Sequence, residues 1–323
     1  MSADIFVLHE NPEWLPPFAR AFKARGVAFE EWNLVERGID LSSPPPEGVF
    51  YNRMSASSHT RGHRYSPELT SVVLAWLEDH GRRVVNASRA LQLEVNKSAQ
   101  LTRLGACGVA VPRTIAAVGV EQALDAVAAF APGPVIVKPN RGGKGLGVKL
   151  HVDLSTLREL ILGDGLAPSV DGITLFQRYI RPLDGTITRA EFIGGGFHYA
   201  VKIDTTMGFE LCPADVCAVE GGPPAPSFTV IDEIDPVFKA RLERFLAVNG
   251  IEIAGIEFAT GADGTPYVYD VNTNTNYNAA AEASAASSSS LRISVIDALV
   301  TFNSTSGATS NQTTESSTSA TAP

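Results

Sequence analysis

The chain of 323 residues is 44% hydrophobic and 19% charged, enough apolar material for a full core divided into two or three lobes. A net charge of −9 argues against nucleic acid as the main partner, because phosphate binding needs a basic face, and it makes local basic loops stand out as sites. Three cysteines without metal-site spacing (Cys107, Cys212, Cys217), and an N-terminal apolar run too short for a signal peptide or membrane span, point to a reduced cytoplasmic protein.

From Ile5 to about Val95 short apolar strands alternate with helical stretches, the pattern of a small parallel α/β domain. Strands are expected at Ile5 to Leu8, Ala28 to Trp32, Val49 to Tyr51 and Arg83 to Val85, with helices at Leu15 to Arg25 and Pro67 to Asp79. A polar loop from Asn52 to Arg64 follows the third strand, and ligands of open α/β sheets bind beyond the carboxyl ends of the strands. Planar guanidinium matches carboxylate bidentately, so Arg53 and Arg61 are the candidate substrate ligands, with His59 and His63 behind them. An exposed basic loop is the alternative.

One or two helices are expected between Ser88 and Cys107, and another from Glu121 to Phe130. The stretch from Pro134 to Val148 then carries the strongest signal. A β-branched run ends in Lys138, Pro139 breaks the strand, and a loop follows that holds Arg141, Lys144 and the glycines 142, 143, 145 and 147. Glycines let backbone N–H groups curl toward an anion, and Lys138 and Lys144 add charge-assisted hydrogen bonds, which makes a phosphate clamp. A basic hairpin on a solvated surface is the competing reading. No Lys-Ser/Thr pair closes the loop and the spacing is not Gly-x-Gly-x-x-Gly; a lysine at a strand end before a Gly-rich hairpin resembles the ATP-grasp superfamily.

A helix at Asp153 to Leu162 precedes a second half that opens with a strand at Thr174 to Ile180. Two more strands, Thr186 to Ile193 and Phe197 to Ile203, flank the turn signal Gly194-Gly195-Gly196, so an antiparallel sheet is expected, followed by a helix at Asp235 to Asn249. The Ser/Thr-rich tail from Thr301 to Pro323 cannot bury enough surface to offset its ordering entropy and is expected to be disordered.

Ile253 to Thr260 and Tyr267 to Asn272 read as strands joined through the turn dipeptide Asp263-Gly264. Pairing centred on that dipeptide sets Glu257 opposite Asp270, and period-2 alternation puts Asn272 on the face of Asp270. Two carboxylates across a ladder repel unless a cation lies between them. Oxygen ligands without cysteine or histidine suit Mg²⁺ held partly by nucleotide phosphates; a wet hairpin face with scattered acids is the alternative.

Taken together these residues resemble the RimK-like α-L-glutamate ligases of the ATP-grasp superfamily over about Asp4 to Ala298. The resemblance places Lys97 and Lys138 as the family's two lysines, Gln177-Arg178-Tyr179-Ile180 as the adenine hinge, Arg189 as the arginine of the following strand, and Glu257, Asp270 and Asn272 as the metal triad. Two positions depart from the family: Ile187 stands where an aspartate meets the ribose, and Phe209-Glu210-Leu211-Cys212 replaces a Phe-Arg-x-Asn block, for which Lys202 is the substitute cation.

The resulting expectation is an α/β chain, α+β in its C-terminal half, with an ATP-grasp fold behind a small parallel domain. Its divisions fall at 1–95 (N-terminal domain), 96–175 (central lobe with the Gly-rich loop), 176–300 (C-terminal lobe with the metal site) and 301–323 (tail). The resemblance implies an ATP-dependent carbon–nitrogen ligase that joins a small-molecule or peptide carboxylate to an amine through an acyl phosphate. ATP and Mg²⁺, with Mn²⁺ as substitute, are its cofactors, and neither nucleic acid nor membrane is a partner; homo-oligomerisation is left open. Arg189 and Lys144 are the catalytic candidates. Lys97, Lys138, Gly142, Gly143, Gly145, Gln177, Arg178, Tyr179, Ile180 and Lys202 would bind the nucleotide. A kinase of a small hydroxyl substrate and a non-catalytic ATP-binding scaffold are the rival functions.

Overall fold

Three sheets carry the chain, in a computed structural model that describes residues 4–143, 145–163, 165–167, 169–205 and 228–275. The first sheet is parallel. Its strand β1 (Ile5–His9) lies between β2 (Phe29–Asn33) and β3 (Val49–Asn52), and β4 (Arg83–Val85) extends it beyond β3. All of β1 is buried, as a strand covered on both faces requires. Alternation sends Ile5 and Val7 into a cluster with Phe22 of α1 (Pro16–Ala24), and Phe6 and Leu8 into one with Val73, Leu74 and Leu77 of α2 (Ser66–Asp79). The Phe6 ring stacks on Phe50 at 4.8 Å and meets Trp32 edge-on at 5.4 Å, each such burial contributing on the order of 2 kcal/mol.

Two short helices, α3 (Ser88–Glu94) and α4 (Lys97–Ala106), lead to an antiparallel middle sheet. Its order is β5 (Thr114–Ala117), β8 (Thr174–Arg178), β6 (Val135–Pro139), β7 (Lys149–His151), with α5 (Gly119–Phe130) and α6 (Leu154–Leu162) packed on Val135, Val137 and Phe176. Here the sequence reading needs correction. The strand expected to open the second half, Thr174 to Ile180, pairs on both sides with middle-sheet strands and stops at Arg178. Apolar periodicity identifies a strand but carries no information on which sheet receives it.

The third sheet runs β11 (Phe228–Ile231), β10 (Gly196–Asp204), β9 (Thr186–Ile193), β12 (Ile253–Thr260), β13 (Pro266–Asn272), all antiparallel. One face packs Ala190, Phe192 and Ile256 against Leu242, Phe245 and Leu246 of α7 (Pro236–Val248) and Leu101 and Leu104 of α4. The other face carries Ile187, Arg189, Glu257 and Asp270 into a cleft shared with the middle sheet.

β13 is an edge strand, and side chains from the N-terminal half satisfy its outer backbone groups. Gln100 brackets Val271, accepting from its N–H at 2.8 Å and donating to its carbonyl at 2.6 Å. Glu94 accepts from Thr273 N–H at 2.6 Å, and Asn86 Nδ2 donates to the Thr273 carbonyl at 2.9 Å. Asn86 is fully buried at φ 56°, a region that asparagine tolerates better than most residues, and it also binds the backbone of Glu252 and Ile253. These contacts join the parallel sheet to the strand that bears Asp270. None of the described helices is long and apolar enough to cross a membrane.

Candidate active site

Glu257 on β12 and Asp270 on β13 are register partners across the ladder. They reach that position by a route the sequence did not reveal. The hairpin closes through residues 261–265, with Gly261 N–H on the Thr265 carbonyl and Gly264 at φ 76°, and the pairs Thr260–Pro266, Ala259–Tyr267 and Phe258–Val268 are centred on Asp263 alone. A β-bulge at Tyr269 then shifts the register by one residue and sets the two carboxylates opposite each other. The bulged Tyr269 carbonyl accepts from Lys138 Nζ at 3.1 Å.

Each carboxylate meets a cation through one oxygen. Lys97, the first residue of α4, pairs with Asp270 Oδ1, and Arg189 Nη1 lies 2.6 Å from Glu257 Oε1. The other oxygens, Asp270 Oδ2 and Glu257 Oε2, take no hydrogen bond from a described residue. Asn272 Nδ2 donates to Glu257 Oε1 at 3.3 Å, which leaves its Oδ1 for a further partner. Burial pushes the Glu257 pKa up against the Arg189 charge, and the Asp270 carboxylate pushes it the same way. Burial also acts upward on Asp270, but Lys97 and Lys138 outweigh it and hold that carboxyl below its usual range. Among the described residues no three His, Cys, Asp or Glu gather as a metal site. The set is two carboxylates and a carboxamide with open oxygens, which fits a hard divalent cation that takes its remaining ligands from phosphate and water.

Arg189 is held from every side. Its Nε lies 2.6 Å from Glu191 Oε1 and its Nη2 2.6 Å from Thr275 Oγ1, and the guanidinium crosses β12 at Gly255, where an added Cβ would stand 2.3 Å from Nη2. Burial works against its charge and the two carboxylates overcome it, so its pKa is raised. Burial likewise opposes the Lys97 charge, and Asp270, Glu94 and Glu257 prevail. Lys138 differs: burial and the neighbouring Lys97 charge bring it down to about 8, because its partner in the protein is a neutral carbonyl. A buried ammonium short of negative charge is a receptor for an anion.

Gly142, Gly143 and Gly145 line the cleft beside Lys138. Gly143 passes so close to the N-terminal half that a Cβ would lie 3.3 Å from Ser57 Cβ, and Gly145 and Gly147 have φ of 68° and 77°, values that glycine adopts freely. The far end of the cleft is apolar, with Pro112, Ile136, Val148, Ile180 and Ile187. At the hinge, Arg178 N–H donates to the Arg113 carbonyl and Tyr179 N–H to the Pro134 carbonyl, so the backbone donor without an acceptor among the described residues is that of Ile180. The Gln177 side chain donates to Thr114 Oγ1 at 2.8 Å.

No family model matches the sequence, and no curated protein matches it. Solved structures do. The ATP-grasp ligase PsnB complexed with a minimal precursor superposes with a TM-score of 0.64 at 19% identity, covering 94% of this chain and 100% of that one. A RimK domain ATP-grasp protein from Sphaerobacter thermophilus gives 0.64 at 19% identity, covering 93% and 99%. D-alanyl-alanine synthetase A from Vibrio cholerae gives 0.63 at 13% identity, covering 93% and 99%. The chain has the ATP-grasp fold. PsnB has also been solved with Mg and ADP.

Within this ATP-grasp fold, Lys97, Lys138, Gly142, Gly143, Gly145, Gln177, Arg178, Tyr179, Ile180, Arg189, Glu257, Asp270 and Asn272 line one cleft. Three sequence-derived candidates lie elsewhere. Lys202 sits on the opposite face of the third sheet from Arg189, half-exposed and 3.1 Å from Asp184, so it cannot supply charge to the cleft. Arg61 is forked onto the buried Glu10, with Nε 3.1 Å from Oε2, and His63 Nδ1 shares that carboxylate at 2.7 Å. Arg53 is 1% exposed and donates to Asn274 Oδ1 at 3.0 Å and to the Thr275 carbonyl at 3.1 Å. Both arginines have internal acceptors: the Glu10 carboxylate for Arg61, and Asn274 Oδ1 and the Thr275 carbonyl for Arg53. His59 Nδ1 faces the Ala56 carbonyl at 3.2 Å. Lys144, the Phe209 to Cys212 block and the tail lie outside the described residues. Sequence reasoning overlooked Glu191, although its spacing from Arg189 on one strand signals a shared face, and it overlooked Glu94, which bears no local signal.

Proposed function

We propose that this chain is an ATP-dependent carboxylate–amine ligase acting through an acyl phosphate. The observation that carries the reading is the pair Glu257 and Asp270: opposed, Glu257 buried and Asp270 partly so, each neutralised on one oxygen and open on the other, facing Lys138 and the Gly-rich loop across one cleft. The adenine would occupy the apolar end with Ile180 N–H as donor, and the phosphates would lie along Lys138 and glycines 142, 143 and 145. Glu257, Asp270 and Asn272 would hold Mg²⁺, which supplies charge neutralisation of the phosphates when bound.

In the first step a substrate carboxylate oxygen attacks the γ-phosphorus, the bond to the β-phosphate oxygen breaks and ADP leaves with that electron pair. An amine then adds to the acyl carbon, loses a proton and expels phosphate, leaving an amide. Lys138 binds the transferred phosphoryl oxygens, and Arg189 favours the charged form of Glu257 and orients it rather than meeting the phosphate itself. The neighbours' names, PsnB complexed with a minimal precursor and a synthetase of D-alanyl-alanine, support an acid of peptide or amino-acid type. Incubation with MgATP, a panel of such acids and hydroxylamine tests the reading: wild type forms a hydroxamate and Lys138→Ala forms none. Equal hydroxamate from both proteins would refute the role of Lys138.

A further inference from the structure

Helix α4 begins beside the start of the Gly-rich loop. An α-helix leaves its first N–H groups without acceptors of its own, and its positive end attracts anions. Here the first three donors are already taken: Lys97 N–H donates to the Asn140 carbonyl at 3.2 Å, Ser98 N–H to Asn140 Oδ1 at 2.8 Å, and Ala99 N–H to Asn96 Oδ1 at 2.9 Å. Asn140, two residues beyond Lys138, thus fills the place that an anion would take at this helix end. The phosphates are left to the lysine and the glycines.

Asn140 is fully buried, and its backbone N–H donates to the Ile173 carbonyl at 3.0 Å, continuing the β6–β8 ladder past Pro139. Its Nδ2 donates to Asp171 Oδ2 at 2.7 Å. The other oxygen of that carboxylate, Oδ1, accepts from Ser169 Oγ at 2.5 Å and from Ile173 N–H at 3.2 Å. The Asn140 amide can face only one way, because Ser98 N–H needs an acceptor and the Asp171 carboxylate a donor. One side chain therefore joins the end of the middle sheet to α4, whose Leu101 and Leu104 pack on the third sheet. The two lysines lie on either side of this joint. Lys97 reaches Asp270 and Lys138 reaches the Tyr269 carbonyl, so adjacent residues of β13 are each held from one side of it. Burial lowers the Lys138 pKa and the Lys97 charge lowers it further, as two ammoniums near one another require.

We infer that Asn140 is a positioning residue for the nucleotide phosphates: it pins the middle sheet to α4 and so sets the gap between Lys138 on one wall of the cleft and Asp270, with its partner Lys97, on the other. The inference rests on the nucleotide-binding part of the ligase reading and adds to it a residue that acts through Lys138 and Lys97. Loss of the pin leaves Ser98 N–H and Asp171 Oδ2 without these partners and frees the start of the Gly-rich loop to move away from α4.

The test is a polarity swap in the full chain, read by calorimetry with Mg²⁺ and the non-hydrolysable analogue AMPPNP, which needs no acid substrate. A buffer at about pH 8 keeps carboxylates ionised. Asn140→Asp sets two carboxylates against each other, and Asp171→Asn sets two amide donors against each other or turns one oxygen away from Ser98. Each single variant should weaken AMPPNP binding at least about 10-fold. The double variant Asn140→Asp/Asp171→Asn restores each bond with donor and acceptor exchanged, and should bind within about 3-fold of wild type. It keeps the charge that Asn140→Asp adds beside the Gly-rich loop, so recovery reports the joint and not that charge. A melting curve accompanies each protein, and if Asn140→Asp does not fold, Asp171→Asn, altered outside the loop, carries the same prediction. Single variants that melt lower yet bind AMPPNP as wild type does would reduce Asn140 to a stabilising residue, overturning the inference and leaving the nucleotide reading standing. A double variant that binds as poorly as its weaker parent would overturn it too. Wild type that does not bind AMPPNP with Mg²⁺ would overturn the nucleotide reading, and this inference with it.

Discussion

Replacing Gly255 by alanine tests the Arg189 network without touching a charged group. The new Cβ would lie 2.3 Å from Nη2, 2.6 Å from Cζ and 2.8 Å from Nε of Arg189, closer than non-bonded carbons approach, so something must move. The strand has little freedom to yield, because β12 is hydrogen-bonded to β9 on one side and β13 on the other. The guanidinium therefore shifts, and it leaves three charge-assisted or hydroxyl partners at 2.6 Å: Glu191, Glu257 and Thr275. Breaking a buried ion pair costs about 3–5 kcal/mol. The lower chain entropy of alanine in the unfolded state returns about 0.4–1 kcal/mol. The net expectation is a loss of about 2–4 kcal/mol, or a melting temperature lower by roughly 3–6 °C for a chain of this size. Gly105→Ala is the internal control. That residue lies in α4 with open space where the added methyl group would stand, so the substitution should stabilise by about 0.5–1 kcal/mol. Paired thermal melts of the two variants decide. A Gly255→Ala protein that melts at or above wild type would refute the claim that this glycine exists to admit Arg189.

Lys138 provides a pH test. With its folded pKa near 8 and an ordinary value of 10.5, the folded protein releases this proton first, so the group's destabilising contribution is full below about pH 8 and fades as pH rises toward 10.5. Phosphates raise the pKa again, so MgATP binding near pH 8 takes up about half a proton, absent in Lys138→Met, as calorimetry in buffers of different ionisation enthalpy would report. Asn86→Gly keeps the left-handed backbone but removes four side-chain hydrogen bonds to Glu252, Ile253 and Thr273; chemical denaturation should show a loss of about 2–4 kcal/mol, and a loss under about 1 kcal/mol would mean the sheets are joined by other contacts. Lys202→Ala should leave the KM for ATP unchanged and stability within about 0.5 kcal/mol, because its ion pair with Asp184 is half-exposed on the far face of the sheet.

What could be read from the sequence, and what could not, divides by range. Strands such as Ile5–His9 and Ile253–Thr260 announce themselves through local apolar patterns, and their observed ends lie within a residue or two of the expected ones. Glu257 opposite Asp270 was legible too, although the hairpin centre assumed for it was wrong by half a residue and the bulge at Tyr269 made up the difference. Partner identity was not legible. Arg61 looks available in the sequence because Glu10 is 51 positions away, and Arg53 because Asn274 is 221 away. A guanidinium offers the same chemistry to an internal carboxylate and to a substrate, and only the fold decides between them. The side chains of Glu94, Gln100 and Asn86 that seal the edge of β13 were invisible for the same reason.

The acyl phosphate is the central claim, and oxygen transfer reports on it most directly. The acid giving the most hydroxamate is labelled with ¹⁸O in its carboxylate and turned over with MgATP and an amine, and the released phosphate is weighed by mass spectrometry. Attack of the carboxylate on the γ-phosphorus, followed by expulsion of phosphate from the acyl carbon, moves one labelled oxygen into each phosphate. The account predicts one ¹⁸O per phosphate in wild type, and no acid-dependent phosphate from Asp270→Asn, which lacks a ligand charge and whose fold is checked by a melting curve. Unlabelled phosphate, or a stable phosphorylated product in its place, would contradict it.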